Sequence, residues 1–141
     1  SEARDRVQLS RVTIERKYSP GAIWLNVDRN QMKIALLNII VNAIESMPHE
    51  DGNLTVSTAL AGGNCQIRII DNGKGMNAET LSKIFDPYFT SKSKGNGLGL
   101  TKTQNIILNH KGKIQVWSEA GKGTEFIITL NMLADENQGS V

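Results

Sequence analysis

Hydrophobic and polar residues alternate along several short stretches of the chain, and this alternation is typical of β-strands. It predicts strands at residues 11–17, 22–27, 54–60, 65–71, 113–118 and 124–130. A Gly-Gly-Asn turn joins the third strand to the fourth, and the segment EAGKG joins the last two. Both pairs are therefore predicted hairpins.

The spacing of apolar residues between these strands predicts helices. The first helix follows Asp28 or Asn30, either of which is a suitable N-cap, and it runs to Met47. Two further helices are predicted at residues 77–85 and 98–109. Neither the helical nor the strand periodicity of apolar residues continues over residues 86–96, so this segment is predicted to be irregular.

Adjacent strand pairs with helices between them predict an α+β fold. We expect a two-layer α/β sandwich in which a mixed, mostly antiparallel sheet carries helices on one face. A chain of 141 residues fits one domain, predicted at residues 1–133, and a polar tail is predicted at residues 134–141.

Two asparagines interrupt one of the most apolar runs of the chain, ALLNIIVNAIESM, whose other apolar residues predict a buried helix. Asn38 and Asn42 are four residues apart and therefore share one helix face. A buried amide without a partner costs about 1–3 kcal/mol. The pair thus needs either structural partners where two helices cross or a ligand, and amide oxygens suit Mg²⁺.

Composition narrows the range of functions. The net charge of +2 is too small to indicate nucleic acid or an acidic membrane surface as a partner, and no apolar run reaches the ~18 residues of a membrane span. The one cysteine, Cys65, lies in a predicted strand and is expected in the core. We expect a cytoplasmic domain without membrane contact, whose parent protein could still be anchored in a membrane.

The segment DNGKGM, at residues 71–76, follows a predicted strand directly. Gly73 and Gly75 would let a flat ligand approach the backbone, and the Asp71 carboxylate would accept a hydrogen bond from an exocyclic amine. This chemistry favours adenine over guanine. The alternative is that Asp71 only caps the end of the strand.

The segment GNGLGL, at residues 95–100, opens a predicted helix. Its glycines would expose backbone N–H groups at the positive end of the helix, which is a site for anions. The spacing matches neither a P-loop nor a dinucleotide fingerprint, and a glycine motif alone is weak evidence.

Five segments in this order resemble the motifs of the ATP-binding catalytic domain of two-component sensor histidine kinases, in the GHKL superfamily with gyrase B and MutL. NIIVNA (38–43) resembles the N box, and DNGKGM (71–76) resembles the first glycine box. FDPYF (85–89) is similar to the F box, and GNGLGL (95–100) is similar to the second glycine box. GKGTEF (121–126) resembles the final glycine-threonine turn.

The resemblance implies a set of ligand contacts. Asn42 would bind Mg²⁺, with Asn38 as a second ligand or a phosphate contact. Asp71 would accept from adenine N6, and Thr124 would reach the base through water. The remaining nucleotide-binding positions would be Gly73, Gly75, Met76, Phe89, Lys92, Gly95, Gly97, Leu98, Gly99 and Leu100.

The resemblance also implies a mobile lid over the nucleotide, from about residue 74 to residue 96. Phe85 and Phe89 would anchor the lid, although core packing alone explains phenylalanines equally well. Many family members carry Lys or Arg where this chain has Glu45. Lys92 is therefore the first candidate for a catalytic cation on the phosphates, with a solvated surface lysine as the alternative.

The position of Asn38 bears on the reaction. Gyrase-type relatives carry a Glu there that activates water, whereas an amide cannot take a proton at neutral pH. The resemblance therefore implies transfer of the γ-phosphoryl group from ATP to a histidine on a separate dimerisation domain, and onward signalling to a response regulator. Neither His49 nor His110 lies in a suitable helix. The alternatives are a self-standing GHKL serine kinase and a non-catalytic module that binds a partner when ATP is bound.

Overall fold

The computed structural model describes residues 12–47, 51–87 and 97–133, with the backbone alone for residues 97–99. The elements in chain order are β1 (Thr13–Lys17), α1 (Arg29–Glu45), β2 (Asn53–Ala61), β3 (Asn64–Asp71), α2 (Ala78–Leu81), α3 (Gly97–Asn109), β4 (Lys113–Glu119) and β5 (Gly123–Asn131). The predicted tail at residues 134–141 lies outside the described residues, and the domain boundary before it stays a prediction.

The strands form one five-stranded sheet in the order β1-β2-β3-β5-β4. β1 pairs with β2 in parallel, and the three other pairings are antiparallel. The predicted α+β sandwich with a mixed, mostly antiparallel sheet is confirmed. The two predicted hairpins, β2–β3 and β4–β5, are confirmed as well.

The strand predicted at residues 22–27 is wrong. Ile23, Leu25 and Val27 are half-buried while Trp24 and Asn26 are exposed, so the alternation of burial is correct. However, this segment makes only one isolated bridge, between Leu25 and Met132, and one flanking backbone bond. Alternation reports which side of an extended segment faces the core, but a strand also needs a neighbour that pairs with it over several residues.

One face of the sheet builds the core with the helices. Along β3, Cys65, Ile67 and Ile69 are buried, and the residues between them face the other side. Cys65 is a core residue as predicted, and burial raises the pKa of its thiol. Phe126, Ile128 and Leu130 of β5 complete the inner face.

Helix α1 begins at a capped end and finishes earlier than expected. Asp28 is its N-cap, and the Asp28 carboxylate accepts a bond of 3.0 Å from the backbone N–H of Gln31. The helix ends at Glu45 rather than at the predicted Met47. Ser46 closes it through backbone bonds to the carbonyls of the preceding turn.

The apolar face of α1 is only partly covered, although the sequence predicted a buried helix. Ile39, Ala43 and Ile44 are buried, whereas neighbouring apolar side chains are half-exposed. Three of these half-exposed residues, Leu36, Leu37 and Ile40, line an open groove of about 700 Å³. The other side of the groove includes Ile23, Trp24, Leu25 and Val27. In the part of the chain that the structure describes, no helix combines the length and the apolar character needed to cross a membrane.

Helices α1 and α3 pack side by side and are joined at one end by His110. The backbone N–H of Asp28 donates to His110 Nε2 at 3.0 Å, and His110 Nδ1 lies 2.7 Å from the Ile106 carbonyl oxygen. Since an N–H must donate and a carbonyl must accept, the imidazole is neutral and protonated at Nδ1. His110 therefore fixes the end of α3 against the start of α1.

Candidate functional site

The predicted base-binding residues lie opposite each other on neighbouring strands. Asp71 ends β3, Thr124 is the second residue of β5, and the antiparallel register pairs them directly. Asp71 is 4% exposed and Thr124 is 6% exposed. Two residues that are 53 positions apart in sequence thus form one buried polar pair at the edge of the core.

The Asp71 carboxylate is oriented by donors from the protein. Asp71 Oδ1 accepts from the backbone N–H of Gly73 at 2.9 Å, and the Ser46 hydroxyl lies 3.3 Å from the same oxygen. The capping alternative is therefore correct in part, because Asp71 does order its own loop. It does so as a buried carboxylate in contact with Gly73 of its own loop and with Ser46 at the end of α1.

Gly73 and Gly75 are required by contacts within the protein. A Cβ atom added at Gly73 would overlap the Ser46 hydroxyl and carbonyl, and one added at Gly75, where φ is +66°, would overlap the Glu119 carbonyl. The sequence had offered close approach of a ligand as the reason for both glycines. The close approach of other backbone segments is sufficient by itself, and the predicted contact with adenine stays a prediction.

Ser118 connects three segments beneath this pair. Its hydroxyl accepts from the backbone N–H of Met76 at 2.9 Å, donates to the Gly123 carbonyl at 2.9 Å, and lies 2.8 Å from the Thr124 hydroxyl. The structure thus places Met76 at the site through its backbone, while its side chain packs against the core.

Sequence reasoning missed Ser46 and Ser118. Ser46 lies just beyond the end of α1, and its one hydroxyl hydrogen is shared between the Ala43 carbonyl at 2.7 Å and Asp71 Oδ1 at 3.3 Å. Ser118 is an inward-facing position of β4. The alternation along β4 places Ser118 on the inner face, but the sequence carried no signal for the contacts that either hydroxyl makes.

Asn38 and Asn42 lie on the face of α1 that is turned towards α3, and both are half-buried. Asn38 Nδ2 donates to the hydroxyl of Thr103 on α3 at 3.4 Å, and Thr103 is fully buried. Asn38 therefore has a structural partner where two helices cross, which was one of the two explanations that the sequence offered for this amide. This partner is a side chain on the neighbouring helix, and Thr103 was not singled out from the sequence.

The segment before the second glycine box is fastened to α3. The Thr101 hydroxyl donates to the Phe85 carbonyl at 2.9 Å, and the Phe85 and Leu100 side chains pack against the core. Core packing of Phe85 is thus confirmed, and its role as an anchor of a lid stays a prediction. Three predicted site residues lie outside the described residues; they are Phe89, Lys92 and Gly95.

The start of α3 has the predicted helical backbone. The helix begins at Gly97, so the N–H groups of Gly97, Leu98 and Gly99 belong to its first turn. These groups have no partner inside the helix and form the positive end of its dipole. The arrangement suits an anion, as the sequence predicted.

Mg²⁺ is consistent with the donors present. Among residues 12–47, 51–87 and 97–133 there is no cluster of three or more His, Cys, Asp or Glu side chains that could hold a metal. Mg²⁺ commonly takes few protein ligands and completes its shell with phosphate oxygens and water. The amide oxygens of Asn38 and Asn42 match that requirement.

Helix α1 sets the spacing of the site. Ser46, which contacts Asp71, lies one turn beyond Asn42 and two turns beyond Asn38. These steps correspond to about 6 Å and 12 Å along the helix axis. The buried acceptor Asp71 therefore lies next to the C-terminal end of α1, and the candidate metal ligands Asn42 and Asn38 follow one and two turns back along the helix.

Comparison with known proteins agrees with this arrangement. Residues 27–134 match the family described as histidine kinase-, DNA gyrase B-, and HSP90-like ATPase. The chain is 39% identical to sporulation kinase C of Bacillus subtilis (strain 168) over 128 residues, covering 90% of this chain and 30% of that protein. It is 38% identical to the sensor histidine kinase ZraS of Escherichia coli (strain K12) over 117 residues, covering 82% of this chain and 25% of that protein.

Solved structures give the same result. The nucleotide-free catalytic domain of histidine kinase ThkA aligns with a TM-score of 0.80 at 26% identity, covering 91% of this chain and 84% of that one. The mycobacterial sensor histidine kinase MprB aligns with a TM-score of 0.79 at 25% identity, covering 95% and 92%. The chain spans less than a third of the length of the two kinases compared by sequence above. The chain therefore belongs to the family of histidine kinase-, DNA gyrase B- and HSP90-like ATPases, and its fold is that of a histidine kinase catalytic domain.

Proposed function

We propose that this domain binds ATP with Mg²⁺ and supplies its γ-phosphoryl group to a histidine on the dimerisation domain of a longer parent kinase. The observation that carries the proposal is the connection of Asp71 through Ser46 to α1, the helix that presents Asn38 and Asn42. That connection fixes the distance between candidate base contacts and candidate phosphate contacts.

Asp71 and Thr124 would recognise the base. An ionised carboxylate can only accept hydrogen bonds, so it attracts the 6-amino group of adenine and repels the 6-oxo group of guanine. Because Asp71 is buried, bonded to the Gly73 N–H and in contact with the Ser46 hydroxyl, it cannot rotate freely to suit another base. The loop from Gly73 to Met76 would form the floor beneath the ring.

The phosphates would lie between α1 and the start of α3. Asn42, with Asn38, would hold Mg²⁺, whose charge offsets that of the phosphates. The backbone N–H groups of residues 97–100 would contact phosphate oxygens. Lys92 is the candidate for an additional cation.

Asn38 would favour transfer over hydrolysis. Its amide lacks a basic atom, and its nitrogen already donates to Thr103, so it cannot activate water. The domain would therefore keep ATP intact until a histidine imidazole nitrogen approaches the γ-phosphorus. A nitrogen–phosphorus bond then forms, the bond to the bridging oxygen breaks, and ADP leaves. In the longer protein, the phosphohistidine would pass its phosphoryl group to a response regulator, and we place that protein's catalytic part in the cytoplasm.

The preference for adenine is tested by thermal unfolding and calorimetric titration. We expect ATP with Mg²⁺ to raise the melting temperature, and GTP with Mg²⁺ to do so much less. In Asp71→Asn the loss of charge should weaken ATP binding by about 10- to 100-fold, since hydrogen bonds to charged groups contribute about 1.5–3 kcal/mol. An Asp71→Asn variant that keeps the full preference for ATP would show that another residue reads the base.

The metal ligand is tested by Asn42→Ala. This variant should lose the part of the ATP affinity that depends on Mg²⁺, while ATP binding measured in EDTA stays near the wild-type value. Exposed Lys33 on the same helix provides the matched control, because Lys33→Ala should leave both affinities unchanged. If Asn42→Ala instead lowers the melting temperature strongly and alters both affinities alike, the amide is structural.

The acceptor of the phosphoryl group is tested by incubation with γ-labelled ATP and the dimerisation domain of the parent protein. Label on that domain that is lost in acid and retained in base identifies phosphohistidine. Acid-stable label would instead identify a serine kinase. Nucleotide binding without any transfer, even with the complete parent protein, would identify a module that only binds its partner.

A further inference from the structure

The hydroxyl groups of Ser118 and Thr124 are close enough to constrain each other's hydrogens. The Ser118 hydroxyl has one hydrogen, and the Gly123 carbonyl at 2.9 Å can only accept, so that hydrogen is donated to Gly123. The Met76 N–H at 2.9 Å can only donate, so the Ser118 oxygen accepts it. In the remaining contact, at 2.8 Å, Thr124 must be the donor and Ser118 the acceptor.

This assignment fixes the polarity of Thr124. Its single hydroxyl hydrogen is directed at Ser118, so only lone pairs of Thr124 Oγ1 remain for any other group. Thr124 is 6% exposed, and rotating its hydrogen away would leave a short contact between two oxygens with no hydrogen between them. Towards a ligand, Thr124 is therefore an acceptor and not an ordinary hydroxyl that can also donate.

Asp71 is the register partner of Thr124, and a carboxylate is also an acceptor. Two acceptors side by side suit a group that carries two hydrogens, such as an exocyclic amine. They do not suit a carbonyl oxygen, which is itself an acceptor. A bridging water does not change this, because the water donates both of its hydrogens to Asp71 and Thr124 and has none left for the carbonyl.

We propose that Ser118 is a specificity-determining residue that acts through Thr124. By holding the Thr124 hydrogen, Ser118 makes the site select purines with an amino group at position 6 over purines with an oxo group there. The inference rests on the proposed binding of an adenine nucleotide and adds a residue that need not touch that nucleotide. It also explains why an inward-facing position of β4 carries a hydroxyl.

The test compares ADP with inosine diphosphate, which replaces the 6-amino group by an oxo group and keeps the sugar and phosphates. The dissociation constants of both are measured by calorimetry with Mg²⁺. In Ser118→Ala the Thr124 hydroxyl is free to donate. We expect the ratio of the two dissociation constants to fall by about fivefold or more, the equivalent of one hydrogen bond. Ser118→Thr keeps the hydroxyl and should retain the wild-type ratio.

A second background separates this role from a structural one. Ser118→Ala also removes the acceptor for the Met76 N–H, which can weaken the binding of both nucleotides equally without changing their ratio. In a Thr124→Val background there is no hydroxyl to release, so adding Ser118→Ala should leave the ratio unchanged. Ser118→Cys, nearly the same size and a poor acceptor, repeats the test if the alanine variant fails to fold.

The outcomes are distinct. A Ser118→Ala ratio equal to that of the wild type, or a ratio that falls equally in the Thr124→Val background, overturns the role of Ser118 and leaves nucleotide binding standing. If the wild-type chain binds neither nucleotide with Mg²⁺, the proposed function fails and this inference fails with it. A wild-type chain that binds both nucleotides equally also overturns the inference.

Discussion

At the scale of residues, the site depends on small side chains that hold larger functional groups in place. Ser46 and Ser118 each contribute one hydroxyl, and each contacts a residue of the candidate base-binding pair. Gly73 allows the loop after β3 to lie directly against Ser46. The sequence identified Asp71, Thr124 and the glycines, but these two serines become important only through contacts with residues distant in the chain.

We predict that Gly73→Ala strongly destabilises the loop from residue 71 to residue 76. The added Cβ would overlap the backbone carbonyl of Ser46, which cannot move without disturbing the end of α1. We expect a loss of at least about 2 kcal/mol in the free energy of unfolding, in the range of overpacked cores. Urea denaturation measures it.

Gly62→Ala is the matched control for this prediction. Gly62 has a φ of +57° but no other atom within 4 Å of the added Cβ. Its cost should be limited to the backbone strain of about 1–2 kcal/mol. If the two alanine variants are equally stable, the close contact between Gly73 and Ser46 is not a constraint.

At the scale of elements, α1 organises the candidate site. Its N-terminus is capped by Asp28, its middle presents Asn38 and Asn42 towards α3, and its C-terminus leads to Ser46. The contacts that join α1 to α3 include the Asn38–Thr103 hydrogen bond and the bond between Asp28 and His110. The relative position of candidate metal ligands and the anion-binding helix start therefore depends on how these two helices pack.

We predict that His110→Ala destabilises the fold by about 0.5–1.5 kcal/mol, because the Asp28 N–H loses its acceptor on the imidazole. The bond involves the backbone of Asp28, so the same loss should persist when the Asp28 side chain is removed. Chemical denaturation of the wild type, His110→Ala, Asp28→Ala and the double variant measures this. A loss that disappears in the Asp28→Ala background would show that the ring interacts with the carboxylate instead.

At the scale of the whole molecule, the fold has its core on one side of the sheet. The inner face of β3 is buried under the helices, and the outer face carries an ion pair between Arg68 and Glu125 at 2.8 Å. Both of these charged side chains keep contact with solvent. This asymmetry leaves one helical layer to form both the core and the candidate nucleotide site.

Adjacent residues of β3 test this asymmetry. We predict that Ile69→Ala, on the inner face and 1% exposed, lowers the free energy of unfolding by about 2–5 kcal/mol. Arg68→Ala, on the outer face, should cost less than about 1 kcal/mol, and that cost should shrink at high salt. Urea denaturation at two salt concentrations measures both. Similar losses for the two variants would contradict a one-sided core.

Most of the fold could be predicted from the sequence because local periodicity reflects local burial. Five of the six predicted strands and all three predicted helices exist, with ends that shift by a few residues. The prediction of a strand at residues 22–27 was wrong because this segment alternates correctly but pairs with another segment through only one bridge. The half-exposed face of α1 was also missed, since an apolar residue in a helix does not show whether another element covers it.

The sequence by itself determined the family, the order of its motifs and the chemical character of Asp71, Asn38 and Asn42. These properties depend on residue type and on spacing along the chain, both of which can be read directly. Only the tertiary structure decided which groups meet: the pairing of Asp71 with Thr124, the support from Ser46 and Ser118, and the partner of Asn38 on α3. The physical reason is that hydrogen bonds act over about 3 Å, and no local pattern encodes which distant segments approach that closely.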